Sequence, residues 1–265
     1  TTGEFRDSTD LGLPGVQEEL VQAVMAVGKP VVLVLLNGRP AAIPDLVDPL
    51  NSILQAWVPG EEGGRAVAAT LFGDYNPGGK LSLSIPRSAG QVPIFYNHKP
   101  SGMRSNIYGD YVSEPVTPLF PFGHGLSYTT FNYSDLAISP EHARAGEVVE
   151  ISLNLTNSGN KPGDEVVQLY TRDAYASMPR PVKELKGFKR LSLQPGETRR
   201  VTFHLPVNMQ AFFDEELDLV VENGTIMVMV GSSSQDIRLG GQFEITQTAQ
   251  IPLAERVFVC PVSLS

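Results

Sequence analysis

The sequence predicts two domains of different class, an α/β domain followed by an all-β sandwich. Up to about residue 90, apolar runs typical of buried strands alternate with helical patterns, which indicates a mostly parallel sheet with helices on its faces. Beyond Asn132, short alternating strands separated by turn signals predict an immunoglobulin-like sandwich. We therefore expect the α/β domain with a linker loop in residues 1–131, the sandwich in residues 132–246 and a tail in residues 247–265.

The first domain begins with a helix and a strand. Apolar residues from Val16 to Val27 recur at helical spacing, and Gly28 follows them as a helix stop. The apolar runs 30–36 and 53–58 predict strands. Only about three or four strands can be found before residue 90, fewer than a parallel sheet usually has, so we expect an earlier part of this domain to lie outside the chain.

The most specific stretch of the sequence runs from Ala56 to Pro86. It combines a strand end, a Pro-Gly turn, an Ala-rich helical pattern over residues 61–72 and a second strand expected at 81–85, which together form one βαβ unit. Gly-rich loops of this kind can bind phosphate. The spacing before Lys80 is one residue too long for a P-loop, and Leu81 stands where Ser or Thr would bind magnesium, so no nucleotide site is predicted.

Residues 93–121 have no periodicity and concentrate aromatic residues, Pro and Gly. A loop of this length is usually functional or wrapped on a neighbour. The sandwich that follows is expected to contain seven strands, separated by strong turn signals at 157–160 and 194–197. These strands are expected at 148–156, 165–171, 183–191, 199–205, 217–221, 224–230 and 238–245.

Composition limits the possible partners and chemistry. A net charge of −9 disfavours nucleic acid and anionic membrane surfaces, so a neutral ligand fits better. The one cysteine, Cys260, cannot form an internal disulfide, and its apolar neighbours favour a small buried thiol over a nucleophile. The longest apolar run is too short to span a bilayer. Since Thr1 stands in place of an initiator Met, we expect the chain to be part of a longer one.

Two common classes of catalytic site find no support in the residues. The four histidines have no second ligand at metal spacing, which favours surface or packing roles, and we assign no metal. They are His98, His124, His142 and His204. A serine hydrolase is also disfavoured, because the chain contains no G-x-S-x-G elbow.

Several stretches resemble glycoside hydrolase family 3, the β-glucosidase and β-xylosidase family. Residues 56–86 and 121–129 are similar to its α/β domain, and residues 185–190 and 193–197 are similar to the fibronectin type III-like domain that ends many members. The resemblance covers roughly residues 1–245. It implies a retaining exo-β-glycosidase without a cofactor, acting on β-glucosides first and β-xylosides next.

The resemblance also implies a site residue. In this family an Asp nucleophile comes from an N-terminal (β/α)8 barrel, and the acid/base is commonly a Glu on a loop of the second domain. The stretch from Gly3 to Asp7 resembles that loop, with Thr2 in place of the usual Ser, so Glu4 is the implied acid/base. The alternative is a solvated loop carboxylate. Arg6 either contacts the sugar or pairs with Asp7.

Nothing in the chain resembles the nucleophile motif, so the isolated chain is expected to be inactive without the missing N-terminal barrel. Asp7 and Asp10 would raise the pKa of Glu4 if the three carboxylates converge, and Arg6 would oppose that effect. A rival interpretation from another class is a non-catalytic fragment that binds carbohydrate or serves as a scaffold.

Aromatic residues offer further candidates for the sugar site. Trp57 and Tyr96 have side chains that stack on sugar faces, although Trp57 ends an apolar strand, which favours a place in the core. Residues 97–99 lie in the linker loop and are candidates for the border of a sugar pocket.

Overall fold

A computed structural model describes residues 7–100 and 113–265. Their contacts divide them into two compact units. The first unit contains residues 7–75, 83–94 and 113–121, and the second contains residues 76–82, 95–100 and 122–265. Three stretches before residue 131 thus belong with the sandwich, at 76–82, 95–100 and 122–130, whereas the sequence suggested a single boundary.

The first unit begins as the sequence predicts. In chain order it contains α1 (Gln17–Met25), β1 (Val32–Leu35), α2 (Pro44–Val47), β2 (Ser52–Gln55) and α3 (Gly63–Phe72). The expected stops after α1 and α3 are confirmed, because Gly28 and Gly73 have φ values of 76° and 84°, a left-handed conformation that glycine adopts without strain. β1 and β2 pair in parallel, with Val32 opposite Ser52.

The mostly parallel sheet is found only in part. Within the described residues of the first unit, β1 and β2 form a two-stranded parallel sheet, and the strand expected at 81–85 does not join it. Ile85 instead makes an isolated antiparallel bridge with Phe120. Its N–H donates to the Phe120 carbonyl at 2.8 Å, and its carbonyl accepts from Leu119 N–H at 2.8 Å. Ile85 therefore pairs with the linker segment and not with the parallel sheet that the sequence predicts for it.

The core of the first unit is small. It is formed by Leu35, Ala41, Ile43, Leu46 and Leu50. Helix α1 has no buried residue. Its apolar stripe is mostly in solvent, with Leu20 62% exposed and Val24 46% exposed. Among the described residues, no helix is both long and apolar enough to cross a lipid bilayer.

The second unit is a β-sandwich, as predicted. Its first strands are β3 (Phe131–Ser139), β4 (His142–Ala143), β5 (Val148–Asn157), β6 (Gly163–Asp173), β7 (Glu184–Leu193) and β8 (Thr198–Pro206). They are followed by β9 (Phe212–Phe213), β10 (Leu219–Val221), β11 (Gly224–Gly231), β12 (Ile237–Ile245), β13 (Ala249–Gln250) and β14 (Val262–Leu264). The seven expected strands are all present as β5 to β8 and β10 to β12.

Two larger sheets enclose the core. One has the order β4-β12-β11-β6-β7 and the other the order β14-β8-β5-β3, while β13-β10-β9 form a small third sheet. Inward side chains such as Leu153, Leu169 and Phe203 are fully buried. The segment expected as a tail contributes β13 and β14, and Val262 of β14 lies opposite Phe203 of β8. The tail therefore completes sheet edges, which is a role that its short apolar stretch did not reveal.

Candidate active site

The candidate acid/base Glu4 and the candidate sugar contact Arg6 lie outside the described residues, so both roles stay predictions. The residues that follow them form an exposed turn. Asp10 Oδ1 accepts the backbone N–H of Gly12 at 2.9 Å, and Ser8 Oγ donates to the Asp10 carbonyl at 2.5 Å. Asp10 is thus held by its own turn.

The chain leaving this turn is attached to the loop that follows β1. The Ala42 N–H donates to the Leu11 carbonyl at 2.8 Å, and Leu13 packs against the core of the first unit. Ala42 comes after the carboxyl end of β1. Ligands of parallel α/β sheets bind outside the carboxyl ends of the strands. Residues 11–13 therefore lie beside the loop where such ligands are expected.

A cavity of about 520 Å³ lies at the carboxyl ends of β1 and β2, next to the start of α3. Its lining is uncharged and mostly apolar, and consists of Val34, Leu36, Asn37, Trp57, Val58, Pro59, Gly60, Gly63, Gly64 and Val67. Asn37 Oδ1 accepts a hydrogen bond from Gln55 Nε2 at 2.6 Å, which orients the amide. An uncharged lining agrees with the neutral ligand that the composition favours.

Trp57 takes neither a simple core position nor a freely exposed one. It is half-buried, lines this cavity and has a φ of 53°. A left-handed conformation is costly for a bulky side chain. β2 has already ended at Gln55, so the left-handed residue turns the chain toward α3. The expectation that Trp57 continues an apolar strand into the core is therefore not met.

Tyr96 is a packing residue. Its ring stacks on Phe122 with centroids 4.3 Å apart and meets Tyr170 edge-on at 5.8 Å. Its hydroxyl accepts the Leu185 N–H at 3.2 Å, and burial raises the pKa of this phenol. The next loop residues are also fixed, because the Val182 N–H donates to the His98 carbonyl at 2.9 Å. These contacts favour a structural role for Tyr96 over sugar stacking.

The environment of Cys260 disfavours a nucleophile, as its apolar neighbours in the sequence predict. Cys260 is buried, and burial raises the pKa of its thiol to about 12, so the thiolate required of a nucleophile is strongly disfavoured. Within residues 7–100 and 113–265, no three His, Cys, Asp or Glu side chains come together as a metal site.

A buried ion pair joins two residues that the sequence patterns did not single out as functional. Lys80 Nζ lies 2.9 Å from Glu165 Oε1, and both side chains are almost completely buried. The alternation in β6 indicates a buried carboxylate, because Glu165 faces inward like Val167 and Leu169. The sequence does not predict the partner of Glu165, because Lys80 lies far away in the chain and outside the sandwich strands.

Family models match both parts of the chain. Residues 1–128 match the glycosyl hydrolase family 3 C-terminal domain, and residues 165–234 match the fibronectin type III-like domain. The first match contains Glu4, the cavity and the linker. The second extends from β6 to β11 of the sandwich.

Similar proteins carry glycosidase names. A β-xylosidase of Formosa agariphila is 48% identical over 235 residues, covering 89% of this chain and 32% of that protein. A periplasmic β-glucosidase of Salmonella typhimurium is 43% identical over 249 residues, covering 91% of this chain and 32% of that protein. The crystal structure of a β-glucosidase from Listeria innocua in complex with glucose has a TM-score of 0.84 at 38% identity, covering 89% of this chain and 34% of that one.

The chain thus spans about a third of the length of these relatives. The sequence resemblance and the two domain matches agree on the same family. The chain belongs to glycosyl hydrolase family 3, of which it carries the C-terminal domain and the fibronectin type III-like domain that follows.

Proposed function

We propose that this chain is the C-terminal part of a retaining exo-β-glycosidase that removes terminal sugars from β-glucosides, with β-xylosides as the next substrate class. The observation that carries the proposal is the match of residues 1–128 to the family 3 C-terminal domain, together with relatives named β-xylosidase and β-glucosidase at 48% and 43% identity. The chemistry needs no cofactor.

In this mechanism Glu4 is the acid/base. Retaining hydrolysis requires a carboxylate nucleophile and a protonated carboxyl group roughly 5 Å away from it. Glu4 would protonate the leaving oxygen and then deprotonate the water that releases the sugar. The nucleophile would come from the N-terminal barrel, so the chain alone supplies one of the two carboxyl groups.

The first unit has surfaces that fit such an upstream partner. Parallel sheets are normally covered on both faces, yet α1 leaves Leu20 62% exposed and Val24 46% exposed. We infer that β1 and β2 belong to a larger, mostly parallel sheet completed by preceding polypeptide. Because α1 leads directly into β1, the preceding polypeptide would supply a parallel strand that connects to β1 through α1.

Replacement of Glu4 in the full-length protein tests the proposed chemistry. We expect Glu4→Gln to lower kcat on a substrate with a poor leaving group by about 10²- to 10⁴-fold, since proton transfer contributes that much. Azide should restore turnover on an activated aryl glycoside by attacking the glycosyl-enzyme. Glu215→Gln, an exposed residue of the β9–β10 turn, is the control and should keep full activity.

Two results would contradict the proposal. An unchanged rate for Glu4→Gln would assign the proton transfer to another group, or the chain to the non-catalytic class. Turnover of about 1 per second or more by the isolated chain on a chromogenic β-glucoside would show that no upstream nucleophile is needed.

A further inference from the structure

The buried carboxylate of Glu165 depends on a residue outside the sandwich strands. Glu165 lies on the inward side of β6 and is 4% exposed. Lys80 Nζ contacts its Oε1 at 2.9 Å and also donates to the Gly125 carbonyl at 2.7 Å. A buried carboxylate that loses its cation is strongly destabilising. The sandwich therefore contains a charge that the segment around Lys80 must neutralise.

Backbone hydrogen bonds join the segment around Lys80 to the segment around Gly123 and His124. The Leu81 N–H donates to the His124 carbonyl at 2.8 Å, and the Gly123 N–H donates to the Leu81 carbonyl at 2.7 Å. Asn76 holds the beginning of the pairing, because its Nδ2 donates to the Pro162 carbonyl at 2.9 Å and its Oδ1 accepts the Tyr128 N–H at 2.8 Å. Both stretches thus form one small antiparallel element against the sandwich.

The outward side of β6 is also occupied. Gln168 is 3% exposed, and its Nε2 donates to the carbonyls of Gly123 at 3.2 Å and Ser232 at 2.5 Å. Tyr170 is fully buried, donates to Gln168 Oε1 at 2.5 Å and meets the ring of Tyr96. β6 therefore holds the added segments from both of its faces.

We propose that the sandwich is an intramolecular receptor for three segments of its own chain, and that the Lys80–Glu165 pair determines their docking. These docking segments are residues 76–82, 95–98 and 122–128. The receptor consists of β6, the start of β7 and the turn at 232–236. The ion pair favours docking of these segments because Lys80 Nζ lies 2.9 Å from the buried carboxylate, while Gln168 Nε2 donates to the Gly123 carbonyl.

Hydrogen exchange of the whole chain, followed by mass spectrometry, tests the proposal with Lys80→Met. We expect amides of residues 76–82 and 122–128 to exchange at least tenfold faster, while β5 and β8 keep their protection. The control is Arg200→Met. Arg200 is a half-buried cation of β8, which is not part of the receptor, and its guanidinium donates to Ser152 Oγ of β5 at 2.7 Å. It should leave exchange in the docking segments unchanged.

A double variant separates docking from simple destabilisation. Lys80→Met with Glu165→Met removes both buried charges, so the sandwich should stay folded even if Lys80→Met alone does not fold. We expect the docking segments to remain exchange-labile in this variant and to regain protection in the charge reversal Lys80→Glu with Glu165→Lys. Full protection of the segments in the double methionine variant, or equal losses of protection in the docking segments for Lys80→Met and Arg200→Met, would overturn the proposal.

Discussion

At the scale of a single residue, the surroundings of His124 disfavour a positively charged imidazole. It is half-buried in the second unit, and its carbonyl pairs with Leu81. Burial lowers the pKa of this imidazole below its ordinary value, the Lys80 cation lowers it further, and Asp236 acts in the opposite direction. The neutral form is therefore the one that the folded protein prefers.

This preference predicts a pH dependence. Because the folded pKa of His124 is lowered, its contribution to stability is complete above the unfolded value of about 6.5 and is lost as pH falls below it. The slope is at most about 1.4 kcal/mol per pH unit for one proton. Urea denaturation between pH 7.5 and pH 5 should show that the unfolding free energy of the unmodified chain falls with pH. The contribution of His124 to this fall should be absent in His124→Gln. A slope in His124→Gln identical to that of the unmodified chain would contradict the assignment.

At the scale of an element, Gly123 combines two requirements at the docking site. Its φ is 83°, and a Cβ at this position would overlap the Gln168 amide. The same amide is needed for the bonds to the Gly123 and Ser232 carbonyls. Close approach and left-handed conformation together make glycine necessary here.

Two alanine variants separate these requirements. Gly146 has a φ of 84° with no atom within 4 Å of an added Cβ, so Gly146→Ala should cost only the conformational strain, about 1 kcal/mol of unfolding free energy. Gly123→Ala should cost at least twice as much, because the buried Gln168 amide must also move. Urea denaturation of both variants measures the difference. Equal costs would mean that Gln168 moves away freely.

At the scale of the whole molecule, the two units differ in how completely they bury apolar surface. Side chains of the sandwich such as Val149, Leu205 and Val228 are 0–1% exposed, whereas α1 has no buried residue. The sandwich therefore has a core of its own, while the first unit leaves an apolar helix face in solvent. Exposed patches of this kind indicate surfaces that a partner covers.

Charged residues on that helix face should have opposite effects in the two contexts. In the isolated chain, Leu20→Glu with Val24→Glu should reduce self-association without lowering the melting temperature of the sandwich. In the full-length protein the same change should lower soluble yield and activity, because the face would be buried there. Leu253→Glu, at a residue of the sandwich that is 65% exposed, is the control. Undiminished yield and activity of the full-length double variant would contradict the proposed coverage of α1.

Much of the fold was predictable because local patterns agree with one another. Helix α3 ends at Gly73 as expected, and the turn at Gly196 has the required positive φ of 77°. The strand expected at 81–85 was wrong, because alternation alone does not show which partner a segment pairs with. Of the candidate site, Glu4 and Arg6 stay predictions. Tyr96 became a packing residue only when Phe122 and Tyr170 were located beside it.

The sequence by itself determined the family, the order of the two domains and most strands of the sandwich, since these depend on periodicity, turn residues and motifs that are contiguous in the chain. Only the tertiary structure decided that Lys80 neutralises Glu165, that Gln168 binds the backbone of Gly123 and that residues 262–264 complete a sheet. Burial and pairing between distant residues depend on three-dimensional proximity, and a local pattern carries no information about which distant residue becomes the neighbour.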